Sequence, residues 1–277
     1  MIAEILAFLI AVIFTAALYL WLIHPDMSRR DDCLALKKWD FAHRGLWDSR
    51  LGIPENSLPA FKRAVEHGFA IELDVHVTKD DQLVVFHDES LQRICGVSGL
   101  IEETDSKILK ELRLSGTDLH IPLLQEVLDL VDGKVPLLIE LKLPGRDIHL
   151  CEIFFEQMKQ YHGNYLIESF NPFGLYWIHK KHPEVIRGQL STRHGTNIKH
   201  SLLLKYLSTS LIINLISRPH FIAYNHEDTD VLGLRINHRL FHIPVFVWTI
   251  RSEKKYIDCK NKYDGLIFER FIPGSEG

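Results

Sequence analysis

The stretch AIELDVHVTKDDQLVVFHD, Ala70 to Asp88, decides how the chain is folded. Two apolar, β-branched runs, 70–77 and 83–86, are separated only by Thr78-Lys79-Asp80-Asp81-Gln82. A crossover between parallel strands takes about a dozen residues or more, so these runs are expected to pair antiparallel as a hairpin. Further runs follow on either side at 39–42, 135–141, 165–170, 185–190, 221–224, 245–250 and 265–268. Amphipathic segments lie between them. Nine runs are one too many for eight parallel strands. With the hairpin counted as one barrel strand carrying an excursion above the rim, eight remain. Strands alternating with helices argue for a parallel sheet, and the roughly 250 residues after the N-terminal segment suit a (β/α)8 barrel. The expected fold is therefore α/β, a (β/α)8 TIM barrel over residues 38–277.

Helical segments fit the gaps. Asn56-Ser57-Leu58-Pro59-Ala60-Phe61 opens one, with Ser57 or Asn56 as N-cap and Gly68 as its stop. A second is expected over 104–112 with Thr104 as cap, and a third opens at Pro122. Composition is that of an ordinary globular protein: 277 residues, 46% hydrophobic, 25% charged. These values exclude disordered, collagenous and low-complexity classes. A net charge of −4 offers no basic field for nucleic acid. Cys33, Cys95, Cys151 and Cys259 form no CxxC pair, which argues against a zinc knuckle or a disulfide framework.

Residues 5–23, ILAFLIAVIFTAALYLWLI, carry no charge. Nineteen helical residues span roughly 28 Å, about one bilayer core. A cleaved signal peptide would want a basic start and a small-residue cleavage site. The start here is Met-Ile-Ala-Glu and the exit is Leu22-Ile23-His24-Pro25, so an uncleaved anchor over 1–23 is the expected reading, with a juxtamembrane linker over 24–37. Arg29, Arg30, Lys37 and Lys38 follow the segment while Glu4 alone precedes it. The positive-inside rule then places the protein in the cell membrane as a single-pass chain, its C-terminal domain in the cytoplasm.

Four short motifs sit at strand ends. His43 and Arg44 close the first strand, and Pro54-Glu55-Asn56-Ser57 follows. In Glu72-Leu73-Asp74-Val75, the i, i+2 spacing puts both carboxylates on one face. Two carboxylates facing into a barrel repel unless a cation or a proton joins them. The hairpin returns His87 to roughly the level of Asp74. In Glu140-Leu141-Lys142 the same spacing points both charges one way. Barrel enzymes keep their chemistry at the C-terminal strand ends, where these motifs converge. Three hard oxygen ligands (Glu72, Asp74, Glu140) suit one divalent cation, Mg²⁺ or Ca²⁺. Two histidines (His43, His87) can pass protons near neutral pH. Arg44 and Lys142 can hold an anion. Anion, metal and two proton carriers are what phosphodiester cleavage needs.

With AHRG (42–45), PENS (54–57), ELDVHVTKD (72–80), VVFHD (84–88), IPLLQEVLDLV (121–131), IELK (139–142), SF (169–170), VWT (247–249) and DGLIF (264–268) in this order, the chain resembles the glycerophosphodiester phosphodiesterase family. The resemblance implies a TIM barrel and metal-dependent hydrolysis of glycerophosphodiesters to glycerol 3-phosphate and an alcohol. It implies that His43 and His87 form the acid/base pair and that Glu72, Asp74 and Glu140 bind the metal. Arg44 and Lys142 would hold the phosphate, Glu55 would support the first loop, and Trp248 would line the substrate face. His87 remains open between proton carrier and ligand. The family's closing strand often ends in Thr-Asp where this chain has Phe268-Glu269, so Glu269 takes no role in this reading. Two alternatives stay beside the leading one. They are lysophospholipase D-type hydrolysis of lysophospholipids at the membrane, and a non-catalytic barrel that binds phosphodiesters. The Leu/Ile-rich segment 198–216 is expected to pack on the sheet as barrel helix, and His179-Lys180-Lys181-His182 to form a solvated helix end. Asn225 and His226 end the sixth barrel strand, where they could reach a substrate.

Overall fold

The computed structural model describes residues 1–193 and 202–274. Nine strands form where the runs lie: β1 (Asp40–His43), β2 (Ala70–Val77), β3 (Leu83–Val85), β4 (Leu137–Leu141), β5 (Tyr165–Ser169), β6 (Arg187–Ser191), β7 (Phe221–Asn225), β8 (Val245–Ile250) and β9 (Gly265–Phe268). β1, β2 and β4 to β9 run parallel, and a β1–β2 pairing closes the ring. β3 lies antiparallel on the upper half of β2, with Val75 opposite Val85. The short 78–82 linker thus produces the hairpin, and an eight-stranded parallel barrel remains.

The helices are α1 (Ile2–Ile23), α2 (Arg30–Ala35), α3 (Leu58–Glu66), α4 (Gln92–Cys95), α5 (Ser106–Glu111), α6 (Leu124–Val131), α7 (His149–Met158), α8 (Pro172–Lys181), α9 (Leu202–Thr209), α10 (Asn214–Ser217), α11 (Leu232–Arg239) and α12 (Glu253–Lys260). Ser57 caps α3, its hydroxyl accepting from the Ala60 N–H, with Pro59 in the first turn. Two other helices begin later than expected. Thr104 donates its hydroxyl back to the Leu100 carbonyl and caps nothing, so α5 starts at Ser106. The Pro122 carbonyl accepts from the Val85 N–H in strand-like fashion, and α6 waits until Leu124. There the Glu126 carboxylate accepts from the Leu123 N–H at 2.8 Å.

Side chains alternate along each strand. Phe41, Leu138, Leu166, Phe221, Phe246 and Ile267 fill the barrel's interior. Leu73, Ile139, Ile167, Val127, Phe154 and Leu175 pack in the layer between barrel and helices. A third cluster, Val84, Phe86, Leu91, Ile94, Ile101 and Leu114 among its members, gives the 86–121 excursion its own small core beside the rim.

Among the described residues, α1 alone is long and apolar enough to cross a membrane, with 22 residues and mean hydropathy 2.6. Residues 2–18 are exposed, but the last turn packs on the barrel and Ile23 is buried. The Ile23 carbonyl accepts from Asn214 Nδ2 at 3.1 Å. Beyond it, the Asp26 carboxylate lies 2.8 Å from Nη2 of the buried Arg187 at the start of β6. Of the basic cluster at the end of α8, Lys180 and Lys181 are exposed as expected, but the half-buried His179 turns to the same guanidinium, 2.7 Å away. The segment expected to pack on the sheet behaves in two ways. Leu211 and Ile213 are buried, while Leu202, Leu203, Leu204 and Tyr206 are exposed; Ser191 and Tyr224 bond to the last turn of α9, at Ser208 and Thr209. The beginning of that segment, 198–201, lies outside the described residues.

Candidate active site

Strand register assembles the site. Parallel pairing sets His43 beside Glu72 across β1–β2, Asp74 beside Glu140 across β2–β4, and Glu140 beside Glu168 across β4–β5. These groups lie at the C-terminal ends of the strands, where barrel enzymes carry their chemistry. Glu72, Asp74 and Glu140 are buried, and each offers an oxygen within 4.8 Å of the others. Burial, and then the Asp74 charge, pushes the Glu72 carboxyl well above its ordinary range. Burial raises Glu140 as well, with Asp74 adding to it. Burial would also raise Asp74, but Lys142, His87 and Arg44 overcome it and hold Asp74 ionised. Lys142 Nζ lies 2.8 Å from both Asp74 Oδ1 and Glu140 Oε1.

The first loop turns sharply after β1. Arg44 takes a positive φ of 58°, its N–H donates to Glu72 Oε2 at 2.9 Å, and its side chain donates to Glu55 at 2.7 Å. Gly45 follows with φ +80°, pressed so close to α3 that a Cβ would lie 2.9 Å from Ala60. Asn56 Nδ2 donates to Asp74 Oδ2 at 2.8 Å. Glu55 also accepts from Arg93. It thereby ties the first loop to the excursion rather than presenting a free carboxylate. Trp248 is half-buried, its ring meeting Phe170 edge to face at 5.9 Å above the interior apolar cluster. Asn225 spends its side-chain oxygen on the Glu227 N–H in the turn after β7.

Both histidines are oriented by carboxylates. His43 Nδ1 lies 2.6 Å from Glu269 Oε2, and Glu269 is also held by Arg251 at 2.7 Å. Burial would raise Glu269, but the bonds to His43 and Arg251 bring it down to about 2. It is therefore an acceptor, His43 carries its proton on Nδ1, and Nε2 points at the acidic cluster, 3.9 Å from Glu72. Burial, with Arg44 beside it, lowers the His43 pKa and keeps the ring neutral. His87 Nδ1 lies 2.6 Å from Asp88, which Arg93 grips through both carboxylate oxygens. His76 Nε2, 3.2 Å from the His87 carbonyl, fixes the backbone behind it.

Several of these residues escape a reading of the sequence. Glu269 stands in a motif that departs from the family's, Asp88 beside His87 reads as an ordinary loop acid, and Arg93 and Asn56 reach Glu55 and Asp74 38 and 18 positions away. Glu168 did leave a signal, a charge inside a buried strand just as at Glu140. Burial raises its carboxyl well above the ordinary range, with Glu72 adding to it, and Oε2 has no hydrogen-bond partner.

The donor set fits a divalent cation. Three buried carboxylates crowd one spot with their charge only partly met by Lys142 and Arg44, and hard oxygen donors at this spacing suit Mg²⁺ or Ca²⁺. The closed barrel and the grouping at its mouth define an enzyme of the barrel class. The model of the Glycerophosphoryl diester phosphodiesterase family matches residues 43–271. A glycerophosphodiester phosphodiesterase of Caldanaerobacter subterraneus is 36% identical over 248 residues, 84% of this chain and 94% of its own length. A lysophospholipase D of Homo sapiens is 33% identical over 161 residues, 53% of this chain and 49% of its own length. Among solved structures, an Oleispira antarctica phosphodiesterase in complex with the product sn-glycerol-3-phosphate matches with a TM-score of 0.68 at 26% identity, covering 83% of this chain and 92% of that one. The chain belongs to the glycerophosphoryl diester phosphodiesterase family. It is a phosphoric diester hydrolase, a glycerophosphodiester phosphodiesterase.

Proposed function

We propose that the protein hydrolyses glycerophosphodiesters to glycerol 3-phosphate and an alcohol with one divalent cation, using His43 and His87 as proton carriers. The observation that carries this reading is the pair of imidazoles, each held at Nδ1 by a carboxylate at 2.6 Å, beside three clustered carboxylates. Glu72, Asp74 and Glu140 would hold the cation, which would draw charge from the phosphoryl oxygens. Arg44 and Lys142 hold the phosphate. His43, neutral, accepts the proton of the attacking water at Nε2. The new P–O bond forms as the bond to the alcohol breaks, and His87 delivers a proton from Nε2 to the leaving alkoxide. Trp248 and Phe170 form an apolar wall for the substrate's carbon skeleton.

The burial of Ile23 at the end of α1 supports a retained anchor over a cleaved leader, because cleavage after Ile23 would remove that buried side chain and leave Asn214 Nδ2 without its acceptor. With Arg29, Arg30, Lys37 and Lys38 on the barrel side, the anchor reads as single-pass with a cytoplasmic barrel. Lysophospholipids are the second substrate reading, supported by this anchor and by the relative named lysophospholipase D. The test is incubation of the full chain in detergent with glycerophosphocholine, glycerophosphoethanolamine and lysophosphatidylcholine, in Mg²⁺, Ca²⁺ or EDTA. Metal-dependent glycerol 3-phosphate or lysophosphatidic acid, lost in His43→Ala and Glu72→Gln, is the expected result. Binding with metal but no turnover of any diester would favour a non-catalytic barrel instead.

A further inference from the structure

We infer that the mouth of the barrel faces the bilayer that α1 enters, and that the enzyme takes a single-chain glycerophospholipid directly from it. The inference rests on the proposed anchor and phosphodiester site and adds an orientation and a lipid source. The direction of α1 follows from its contacts with α11, which starts at the rim after β7 and ends at the barrel's base. Tyr19 lies at the rim end, its hydroxyl 3.3 Å from the Ser210 carbonyl and close enough to Gly233 that a Cβ there would be 3.0 Å away. His24 lies at the base end, its ring 4.7 Å from that of Phe241. Residues preceding Tyr19 therefore continue past the rim on the side of the active site. The exposed stretch 2–18 is about 25 Å long as helix, slightly less than a bilayer core of roughly 30 Å. Because Tyr19 meets the rim and the exposed apolar stretch ends at the residue before it, the rim itself lies at the membrane interface.

The rim beside α1 is built for that depth. The last turn of α9 is tied to the strand ends, with Ser191 Oγ donating to the Ser208 carbonyl and Tyr224 Oη to the Thr209 carbonyl. Its earlier residues Leu202, Leu203, Leu204 and Tyr206 are exposed, and Leu202 keeps 87% of its surface. Leu232, at the rim end of α11, is exposed as well. Apolar side chains continuous with a membrane-spanning helix match a lipid surface, and their exposure to water is otherwise unfavourable.

The test uses the full chain in phosphatidylcholine nanodiscs, with Cys95→Ser to remove the partly exposed thiol. Leu203→Cys, Leu232→Cys and Leu240→Cys each receive an environment-sensitive dye. Leu232 and Leu240 stand at opposite ends of α11 and both are exposed. Quenching by brominated lipid is expected at 203 and 232 and not at 240. Quenching at 240 alone, or at none of the three, overturns the orientation whatever the activity. In the same discs, Leu203→Glu with Tyr206→Glu should lower turnover of lysophosphatidylcholine at least tenfold and leave glycerophosphocholine turnover unchanged. Equal loss or no loss on both substrates overturns the lipid-source inference. Wild-type inactivity on both substrates, with quenching as expected, would instead overturn the proposed activity and, with it, the lipid source.

Discussion

His43 donates its Nδ1 proton to Glu269 across 2.6 Å, a contact between residues 226 positions apart. The bond selects the tautomer whose Nε2 lone pair faces the acidic cluster. Glu269→Gln keeps the shape but offers His43 a side chain that can donate as well as accept, so the tautomer is no longer fixed. The expected result is a fall in kcat of about 10²- to 10⁴-fold, the range of a lost proton carrier, with KM little changed and the fold intact by circular dichroism. A variant with wild-type kcat would remove Glu269 from the mechanism.

The three carboxylates of Glu72, Asp74 and Glu140 predict opposite effects of one substitution with and without metal. In EDTA, Glu72→Gln removes a buried carboxylate that burial and Asp74 make costly to ionise, so Tm should rise. With Mg²⁺ or Ca²⁺ at about a hundred times Kd, the wild type gains roughly 2.7 kcal/mol, or about 5–11 °C for a barrel of this size. Glu72→Gln should lose most of that gain. Calorimetry of both proteins in EDTA and in each metal checks this, and a wild type insensitive to either ion would refute the metal site.

Gly45 and Gly52 separate backbone strain from packing. Both have positive φ, but a Cβ on Gly52 meets nothing within 4 Å, whereas one on Gly45 lies 2.9 Å from Ala60. Gly52→Ala should cost about 1 kcal/mol. Gly45→Ala should cost roughly 2–4 kcal/mol, and it should also lower kcat/KM because the shifted loop carries Arg44. Urea denaturation with parallel assays gives both numbers. Equal costs would mean that α3 yields to the added methyl.

What was legible in the sequence was local or periodic. Buried parallel strands must be β-branched runs, and five residues cannot make a crossover, so Ala70–Val77 and Leu83–Val85 revealed both the barrel and its hairpin. The i, i+2 carboxylates of Glu72 and Asp74 were legible because strand alternation is fixed by geometry. Partnerships were not. Arg93 on Glu55 and Glu269 on His43 depend on where loops fold back, and nothing in their own neighbourhoods announces it. Helix starts depart from the local signal where a carbonyl or hydroxyl is already committed elsewhere, as at Pro122 and Thr104. The exposed leucines of α9 carry the pattern of a packed helix, yet they stay outside while Ser208 and Thr209 bond to the rim.

The base of the barrel supplies a pH dependence of stability. His220 is buried, and burial together with Arg187 brings its pKa from 6.5 down to about 4. Asp26, Arg29 and Arg187 face it. The folded state thus prefers the neutral ring, while the unfolded chain takes up a proton as the pH falls through 6.5. Stability is complete above that value and declines from about pH 6.5 to pH 4, by up to roughly 3 kcal/mol. His76, brought down to about 4 by burial and then Lys142, adds to the same window. Asp26 is held well below the usual carboxylate range by Ser28, His220 and Arg187 against the effect of burial, so its own loss begins only below this window. His220→Gln should flatten the decline without abolishing it, since His76 remains. Asp26→Ala should instead lower stability across the whole range by about 3 kcal/mol, because it leaves the fully buried Arg187 without its carboxylate. Urea denaturation of the three proteins between pH 4 and pH 8 measures both effects. A His220→Gln slope equal to wild type would mean that the ring is already solvated in the folded protein.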